Sequence, residues 1–96
     1  MRRGFFLVLF IAALAHAESP TERYAPAQLG VARDFLEQAR AAALRGESER
    51  AGKLAWQAAL DARLAWRMTH SEHLRAEAAR IAASAGLLVG RLAGRH

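Results

Sequence analysis

Residues 41–51 read AAALRGESERA, and this stretch decides how the chain folds. An alanine-rich segment reaches Leu44 and Arg45, a glycine follows, and Glu47 or Ser48 can cap a new helix. A basic residue followed by glycine is a common helix end, and a polar cap before an acidic first turn is a common helix start. Because so short a connection makes the two helices antiparallel, the sequence predicts an αα-hairpin.

Each helix of this hairpin carries one narrow apolar seam. The first helix is predicted to start at Pro26, because a proline is tolerated in a first helical turn. Its seam repeats every three or four residues and comprises Leu29, Ala32, Leu36, Ala39 and Ala43. The second helix begins near Glu49, and its seam comprises Ala51, Leu54, Ala55, Ala58, Ala62 and Ala65. We expect the two seams to face each other, with Phe35, Leu36 and Trp66 as the largest apolar contributors.

A further apolar seam lies on the opposite side of the second helix and continues beyond it. It includes Trp56 and Leu60 and then, at alternating spacings of four and three residues, Leu74, Ala78, Ile81, Ala85, Leu88 and Leu92. If the helix runs unbroken from Glu49 to about Leu92, this seam faces away from the hairpin and needs another chain. If the helix breaks near Thr69 to Ser71, where Thr69 and Glu72 could form a capping box, the last segment folds back as a third helix.

The absence of glycine and proline between Gly52 and Gly86 favours the unbroken helix, because these residues are the strongest helix breakers. Both alternatives belong to one fold class. The prediction is an all-α protein, an antiparallel helical hairpin with either a long second helix or a third helix following it.

The N-terminal residues predict export. Arg2 and Arg3 precede an apolar run, residues 5–14, and Ala15-His16-Ala17 is the small-x-small pattern that signal peptidase cleaves. The apolar run is too short to span a bilayer, which takes about 20 residues. The chain has no cysteine, so neither a lipid anchor nor a disulfide is expected. We therefore predict a periplasmic protein that is not lipidated, with a signal peptide at 1–17, a flexible leader at 18–24, and a helical hairpin domain with a C-terminal extension at 25–93.

Charge and length narrow the function further. After removal of residues 1–17, which include Arg2 and Arg3, 12 basic and 9 acidic residues remain, a net charge of 12 − 9 = +3. The basic residues are interleaved with acidic ones along the helices, whereas nucleic-acid binding calls for a concentrated basic stripe. We expect no nucleic-acid partner. The remaining 96 − 17 = 79 residues are enough for one small domain.

Four short motifs of the hairpin occur together in one known family. They are Tyr24-Ala25-Pro26-Ala27-Gln28-Leu29, Arg45-Gly46-Glu47, Ala51-x-x-Leu54-Ala55-x-x-Ala58 and Asp61-Ala62-Arg63-Leu64-Ala65. In these motifs the chain resembles the bacterial envelope family catalogued as domain of unknown function 4398, over about Tyr24 to Ala82. The resemblance implies an exported helical hairpin, often lipidated and in some members followed by a peptidoglycan-binding domain. This chain lacks the lipidation cysteine and the length for a second domain, so direct cell-wall binding is not expected to carry over.

No residue pattern indicates catalysis or a cofactor. The serines have no base and orienting acid near them in sequence, and Asp34 with Asp61 lacks the context of a carboxylate pair. His70 and His73 lie three residues apart, with Glu77 four further on, but the spacing matches no metalloprotease motif. We expect no enzyme activity, no cofactor and no metal site.

We therefore expect a non-enzymatic exported protein of the cell envelope that acts as a helical interaction or structural module. The residues predicted to contact a second copy or another protein are Trp56, Leu60, Leu64, Leu74, Ile81, Leu88 and Leu92. The alternative is peripheral binding to an anionic envelope surface, either lipid headgroups or cell-wall polymer. That binding would use the arginines Arg63, Arg67, Arg75, Arg80 and Arg91.

Overall fold

The computed structural model describes residues 20–94, which form three helices. They are α1 (Pro20–Leu44), α2 (Ser48–Met68) and α3 (Glu72–Ala93). No strand occurs between residues 20 and 94, so the all-α prediction is confirmed. The predicted signal peptide at 1–17 lies outside the described residues. Helix α1 packs against both α2 and α3, and the three helices share one apolar core.

Helix α1 begins earlier than the sequence predicted. Its first residue is Pro20, so residues 20–24 of the expected leader are helical and Pro26 lies inside the helix. Proline is well suited to a first helical position, and the acidic Glu22 lies in the first turn, where the helix dipole favours a negative charge. Ala25 is buried in the core, which ties this first part of α1 to the rest of the molecule. No sequence signal marked this earlier start, because apolar residues do not recur at helical spacing between Glu18 and Tyr24.

The turn between α1 and α2 has the geometry of a Schellman motif. Gly46 has a φ of 77°, a left-handed conformation that glycine adopts without steric cost. The Glu47 N–H donates to the Ala42 carbonyl (2.9 Å), and the Gly46 N–H donates to the Ala43 carbonyl (3.0 Å). Glu47 occupies the N-cap position of α2 without a side-chain capping bond, and its carboxylate pairs with Arg45 at 3.3 Å. The predicted αα-hairpin is confirmed.

The interface between α1 and α2 consists largely of alanine. The buried residues are Ala25, Leu29, Ala32, Leu36, Ala39 and Ala42 on α1, and Ala51, Ala55, Ala58, Ala62 and Ala65 on α2. Small side chains allow the helix backbones to approach closely. The predicted seams are confirmed except that Ala42 replaces Ala43 as the buried residue of the last turn and Leu54 is half-buried. Of the three residues predicted as the largest apolar contributors near the hairpin core, Leu36 is buried and Phe35 is partly buried against the core. Trp66 is 44% exposed, so the prediction was wrong for this residue.

The prediction of one unbroken helix from Glu49 to about Leu92 was wrong, and its alternative, a third helix, is correct. Helix α2 ends at Met68, and Thr69 adopts an extended conformation with φ −126° and ψ 150°. Ser71 caps α3, because its hydroxyl oxygen accepts from the Leu74 N–H at 3.3 Å. The cap is therefore Ser71, not Thr69, and the capping box expected between Thr69 and Glu72 does not form.

Side chains from three parts of the molecule stabilise this break. The Thr69 hydroxyl accepts from the Ser71 N–H (3.0 Å), and the Thr69 carbonyl accepts from Arg75 Nε (2.8 Å). The His70 N–H, left without a helical partner, donates to Glu22 Oε1 of α1 (3.0 Å). Backbone groups that leave a helix need such substitutes because unpaired polar groups are costly to bury. Without glycine or proline, the break depends on these tertiary and capping contacts.

Helix α3 buries its heptad seam against the hairpin of its own chain. Ala78, Ile81, Ala85 and Leu92 are buried, and Leu74 and Leu88 pack against the same core. An ion pair between Arg33 and Glu77 joins α1 to α3 at the edge of this contact. The predicted role of Leu74, Ile81, Leu88 and Leu92 in contacting another protein is therefore corrected. The seam was identified properly, but its partner is the hairpin, because folding back buries it without ordering a second chain.

One buried carboxylate lies between α1 and α2. Asp61 Oδ1 accepts from Gln28 Nε2 at 3.0 Å, and Asp61 Oδ2 accepts from Gln57 Nε2 at 3.2 Å. Both oxygens of the carboxylate are thus partnered, as burial of a charged group requires. Because Gln28 is on α1, the first of these bonds sets the position of the two helices along each other.

Replacing Ile81 by alanine tests the packing of α3 on the hairpin. Since Ile81 is buried in the shared core, Ile81→Ala should lower the free energy of unfolding by about 2–5 kcal/mol. Urea titration followed by far-UV circular dichroism measures the change. The matched control is Leu87→Ala on the same helix, where the exposed side chain should change stability by no more than about 0.5 kcal/mol. Equal losses in the two variants would contradict the packing of α3 described above.

Replacing Asp61 tests the buried hydrogen bonds. Asp61→Ala leaves the Gln28 and Gln57 amides without an acceptor and should cost about 1–3 kcal/mol of unfolding free energy. Asp61→Asn should cost less, because its carbonyl oxygen still accepts from Gln28. Asp34→Ala, at an exposed position of α1, serves as the control and should be nearly neutral. If Asp61→Ala were as stable as this control, Asp61 would have no structural part.

Candidate functional site

The outer face of α2 is the most distinctive surface of the molecule. At about 100° per residue, seven side chains of α2 fall within one arc of about 100°, on the side of the helix opposite the buried alanines: Glu49 in the first turn and, after it, six residues from Lys53 to Arg67. We call these six residues the basic tryptophan face: Lys53, Trp56, Leu60, Arg63, Leu64 and Arg67. The hairpin partner α1 and the returning α3 pack against the alanine side of α2.

Three apolar residues form a stripe along the basic tryptophan face. Trp56, Leu60 and Leu64 are four residues apart, a spacing that places them one above another on a helix. Trp56 is 61% exposed and Leu64 is 43% exposed, while Leu60 is half-buried. The exposed aromatic ring and the two leucines beside it form an apolar patch. Exposed apolar patches on protein surfaces often mark sites of interaction with a partner or a membrane.

The charges on the basic tryptophan face are positive. Arg63 and Arg67 are exposed and form none of the ion pairs found between residues 22 and 94. Lys53 Nζ lies 3.6 Å from Oε1 of Glu49, which is one turn closer to the N-terminus of α2. Both side chains are strongly exposed, so this ion pair is weak. The other acidic residue of α2, Asp61, points into the interface with α1. From Lys53 to Arg67 the face therefore carries only cations.

The five arginines predicted to form one anionic-surface contact do not lie together. Arg63 and Arg67 are on the basic tryptophan face. Arg75 stacks over the Trp66 ring, 4.2 Å from its centroid, and donates to the Thr69 carbonyl, so it stabilises the junction of α2 and α3. Arg80 and Arg91 are exposed on α3. The helix break separates the two groups, and the surface predicted from five arginines is corrected to two, with Lys53 added.

The seven residues predicted to contact a partner also divide into two groups. Trp56, Leu60 and Leu64 form the exposed stripe on α2, whereas the other four pack into the core as described above. The sequence showed both groups as one continuous seam, because the helical wheel was extended through a junction at which the chain turns back. Lys53 could have been included from its position three residues before Trp56 on the same face.

His70 and His73 lie at the junction of α2 and α3. His70 is in the connecting segment and His73 is in the first turn of α3, so they do not share one helix face. Within the described range 20–94, no group of three or more His, Cys, Asp or Glu side chains converges in a way that could hold a metal ion. Among the helices of the same residues, none has a segment apolar and long enough to cross a bilayer.

The fold and this face define a class of protein. The described chain is a small three-helix unit with an alanine-rich core and an exposed, positively charged face bearing a tryptophan. The family model of DUF4398, a domain of unknown function, matches residues 11–82, which are 72 of the 96 residues. The chain therefore belongs to the DUF4398 family, and the match takes in α1, α2 and the first half of α3. Comparison with curated proteins gave no match, and neither did comparison with solved structures.

We expect added zinc to leave the thermal unfolding midpoint of this protein unchanged. Zinc sites in proteins usually have three or four converging ligands, and His70 and His73 are two residues in different segments. Differential scanning fluorimetry with and without zinc measures the midpoint. A rise of several degrees that His70→Ala/His73→Ala abolishes would contradict this expectation, because a ligand that binds only the folded state stabilises it.

Proposed function

We propose that this protein is a non-enzymatic, exported module of the cell envelope that attaches to an anionic lipid surface through its basic tryptophan face. The observation that carries the proposal is the exposed Trp56 on a face whose charged neighbours, Arg63 and Arg67, form none of the ion pairs found among residues 22–94. Apolar and aromatic residues flanked by cations are the composition of helices that lie in a membrane interface.

The geometry favours a lipid surface over a second copy of the chain. A symmetric dimer through this face would bring identical patches together, so the arginines of both copies would approach one another. Like charges oppose such a contact unless acidic residues separate them. The face between Lys53 and Arg67 has no acidic residue, and Glu49 lies beyond its N-terminal end, beside Lys53. An anionic surface presents the opposite charge over its whole area. The contact with a second copy or another protein partner, expected from the sequence, is thus the less favoured proposal.

The energies support reversible attachment. Each basic residue near an anionic membrane contributes about 1 kcal/mol. Arg63 and Arg67 would thus supply about 2 kcal/mol of binding free energy. Lys53 would add to this when it exchanges its weak pairing with Glu49 for contact with anionic headgroups. Insertion of the Trp56 ring and the Leu60 and Leu64 side chains among the headgroups adds an apolar contribution at about 25 cal/mol per Å² removed from water. The sum is typical of a peripheral protein that salt releases.

The expected export supports an envelope location. The first seventeen residues have the basic start, apolar run and small-x-small end of a signal peptide, and the chain offers no cysteine for a lipid anchor. A protein that reaches the periplasm without an anchor would need a contact surface of its own to stay near a membrane. The basic tryptophan face has the charge and the apolar content for that purpose.

Vesicle binding tests the proposal. The protein should co-sediment with vesicles containing anionic phosphatidylglycerol and not with vesicles of phosphatidylcholine alone, and high salt should release it. Arg63→Gln/Arg67→Gln should weaken binding about 30-fold, which corresponds to the loss of about 2 kcal/mol. Trp56→Ala should also weaken it, and the fluorescence of Trp56, observed in a Trp66→Phe background, should shift to the blue as the ring leaves water.

The control removes two arginines elsewhere. Arg23 on α1 and Arg80 on α3 are exposed and lie off the basic tryptophan face, so Arg23→Gln/Arg80→Gln changes the net charge equally. Equal weakening by both double variants would overturn the proposal, since only overall charge would then matter. Equal binding to neutral and anionic vesicles would overturn it too. A dimer by light scattering that Trp56→Ala dissociates would replace the lipid surface with a second copy.

A further inference from the structure

The edge along which α1 meets α3 changes in charge from one end to the other. Arg33 and Arg40 are seven residues apart on α1, so they lie on the same side of that helix. On α3, Glu77, Ser84 and Arg91 follow one another at the same spacing. At the first of these positions Arg33 pairs with Glu77. Further along the edge, Arg40 lies beside the same groove as Ser84 and Arg91. No acidic residue of α3 occupies the position there that Glu77 occupies beside Arg33.

Arg40 and Arg91 border a groove at the C-terminal ends of α1 and α3. The groove has a volume of about 330 Å³ and is lined by Arg40, Ala43, Leu44, Leu88, Arg91 and Leu92. A smaller adjoining groove of about 170 Å³ shares Arg40, Leu88 and Arg91 and adds Ser84 and Leu87. Among the described residues, no acidic side chain lines either groove. Both arginines are exposed, and neither takes part in an ion pair found in the described range.

The helix dipoles do not remove the need for an anion here. Helix C-termini attract cations over the last turn, where Arg91 lies in α3, but Arg40 lies before the last turn of α1 and gains no such stabilisation. Two guanidinium groups beside one groove repel each other, and a carboxylate can accept from both, since each offers several N–H donors in a planar fork. The charge of the groove therefore calls for a small anionic group.

The remainder of the groove is aliphatic. Leu88 and Leu92 belong to its floor, and Leu44 and Leu87 stand beside it at 90% and 65% exposure. Of the described residues that line the larger groove, the arginines alone have side-chain hydrogen-bonding groups. An extended peptide lying there would leave backbone N–H and C=O groups without partners, whereas an alkyl chain has none to satisfy. At about 330 Å³ the groove is at the small end of ligand sites, a size suited to a single chain.

We propose that this groove binds a single-chain fatty carboxylate, with the carboxylate between Arg40 and Arg91 and the alkyl chain against Leu44, Leu88 and Leu92. The site is separate from the basic tryptophan face, because it lies between α1 and α3 while that face is the outer side of α2. A protein with both surfaces could hold a membrane surface on one side and a free amphiphile on the other. The proposal does not depend on vesicle binding, and either surface can fail without the other.

Calorimetric titration with decanoate, below its micelle concentration, tests the site. Decanoate should bind with one site per chain, and acetate should bind at least about 100-fold more weakly because it lacks the chain. Each methylene added between octanoate and decanoate should tighten binding by roughly two- to fourfold, as expected for a partly buried chain. Decyl maltoside, which has the chain without the charge, should bind at least about tenfold more weakly. Circular dichroism confirms that the protein stays folded during the titration.

Two variants localise the binding. Arg40→Gln/Arg91→Gln should weaken decanoate binding at least about tenfold, because charge-assisted hydrogen bonds are lost. Leu44→Gln, at a side chain too exposed to matter for folding, should weaken it as well. The matched control is Arg63→Gln/Arg67→Gln, which removes the same charge from α2 and should leave decanoate binding unchanged.

Four outcomes would overturn the proposal. They are equal binding of decyl maltoside and decanoate, equal binding of acetate and decanoate, equal weakening by the two double arginine variants, and tighter binding of decyl phosphate than of decanoate. Equal binding of decyl maltoside would show that the charge of the ligand plays no role, and equal binding of acetate would show the same for the alkyl chain. Equal weakening by the two double variants would show that the ligand does not bind in this groove. Tighter binding of decyl phosphate would show that the site does not prefer a carboxylate. The basic tryptophan face is tested separately, by binding to vesicles rather than to decanoate.

Discussion

Close packing of alanine methyl groups between α1 and α2 is the constraint on which the rest of the structure depends. Alanine lets two helices approach, but each methyl removes little apolar surface from water, and burial stabilises by only about 25 cal/mol per Å². The chain has no cysteine, so no disulfide supplements this thin core. The hairpin therefore needs further burial, and the larger side chains of α3, among them Ile81 and Leu92, supply it within the same chain.

The return of α3 determines which surfaces stay available. The apolar seam of α3 packs against the hairpin and covers that side of it. The ion pair between Glu77 of α3 and Arg33 of α1 joins the two helices. Among the surfaces that α3 leaves open are the basic tryptophan face on the outside of α2 and the arginine-bordered groove between the C-terminal ends of α1 and α3. Both combine exposed leucine or tryptophan with arginines that take part in none of the ion pairs found among residues 22–94. An alanine-rich protein has few large apolar side chains, so their concentration on these surfaces is informative about function.

Local patterns predicted much of the fold, and nonlocal contacts decided the rest. The Schellman turn at Gly46 and the seam residues of α1, α2 and α3 could be read because turn chemistry and helical period are local properties. The break at Thr69 was less favoured because no glycine or proline marks it, and it depends on the contacts of Glu22 with His70 and of Arg75 with Thr69. The exposed position of Trp66 follows from its stacking under Arg75, which requires the same break. For the candidate site, Trp56, Leu60 and Leu64 could be predicted, but the outward and inward halves of the seam could not be separated.

The sequence by itself determined the all-α class, the antiparallel hairpin, the membership of each seam and the family to which the chain belongs, because these follow from residue spacing and turn residues. The tertiary structure decided that the third seam is internal, that the arginines of α2 and α3 lie apart, and that Arg40 and Arg91 border one groove. Such pairings join residues up to 51 positions apart in the sequence. Helical period records which side of a helix a residue occupies, but only the direction in which α3 returns determines what lies opposite that side.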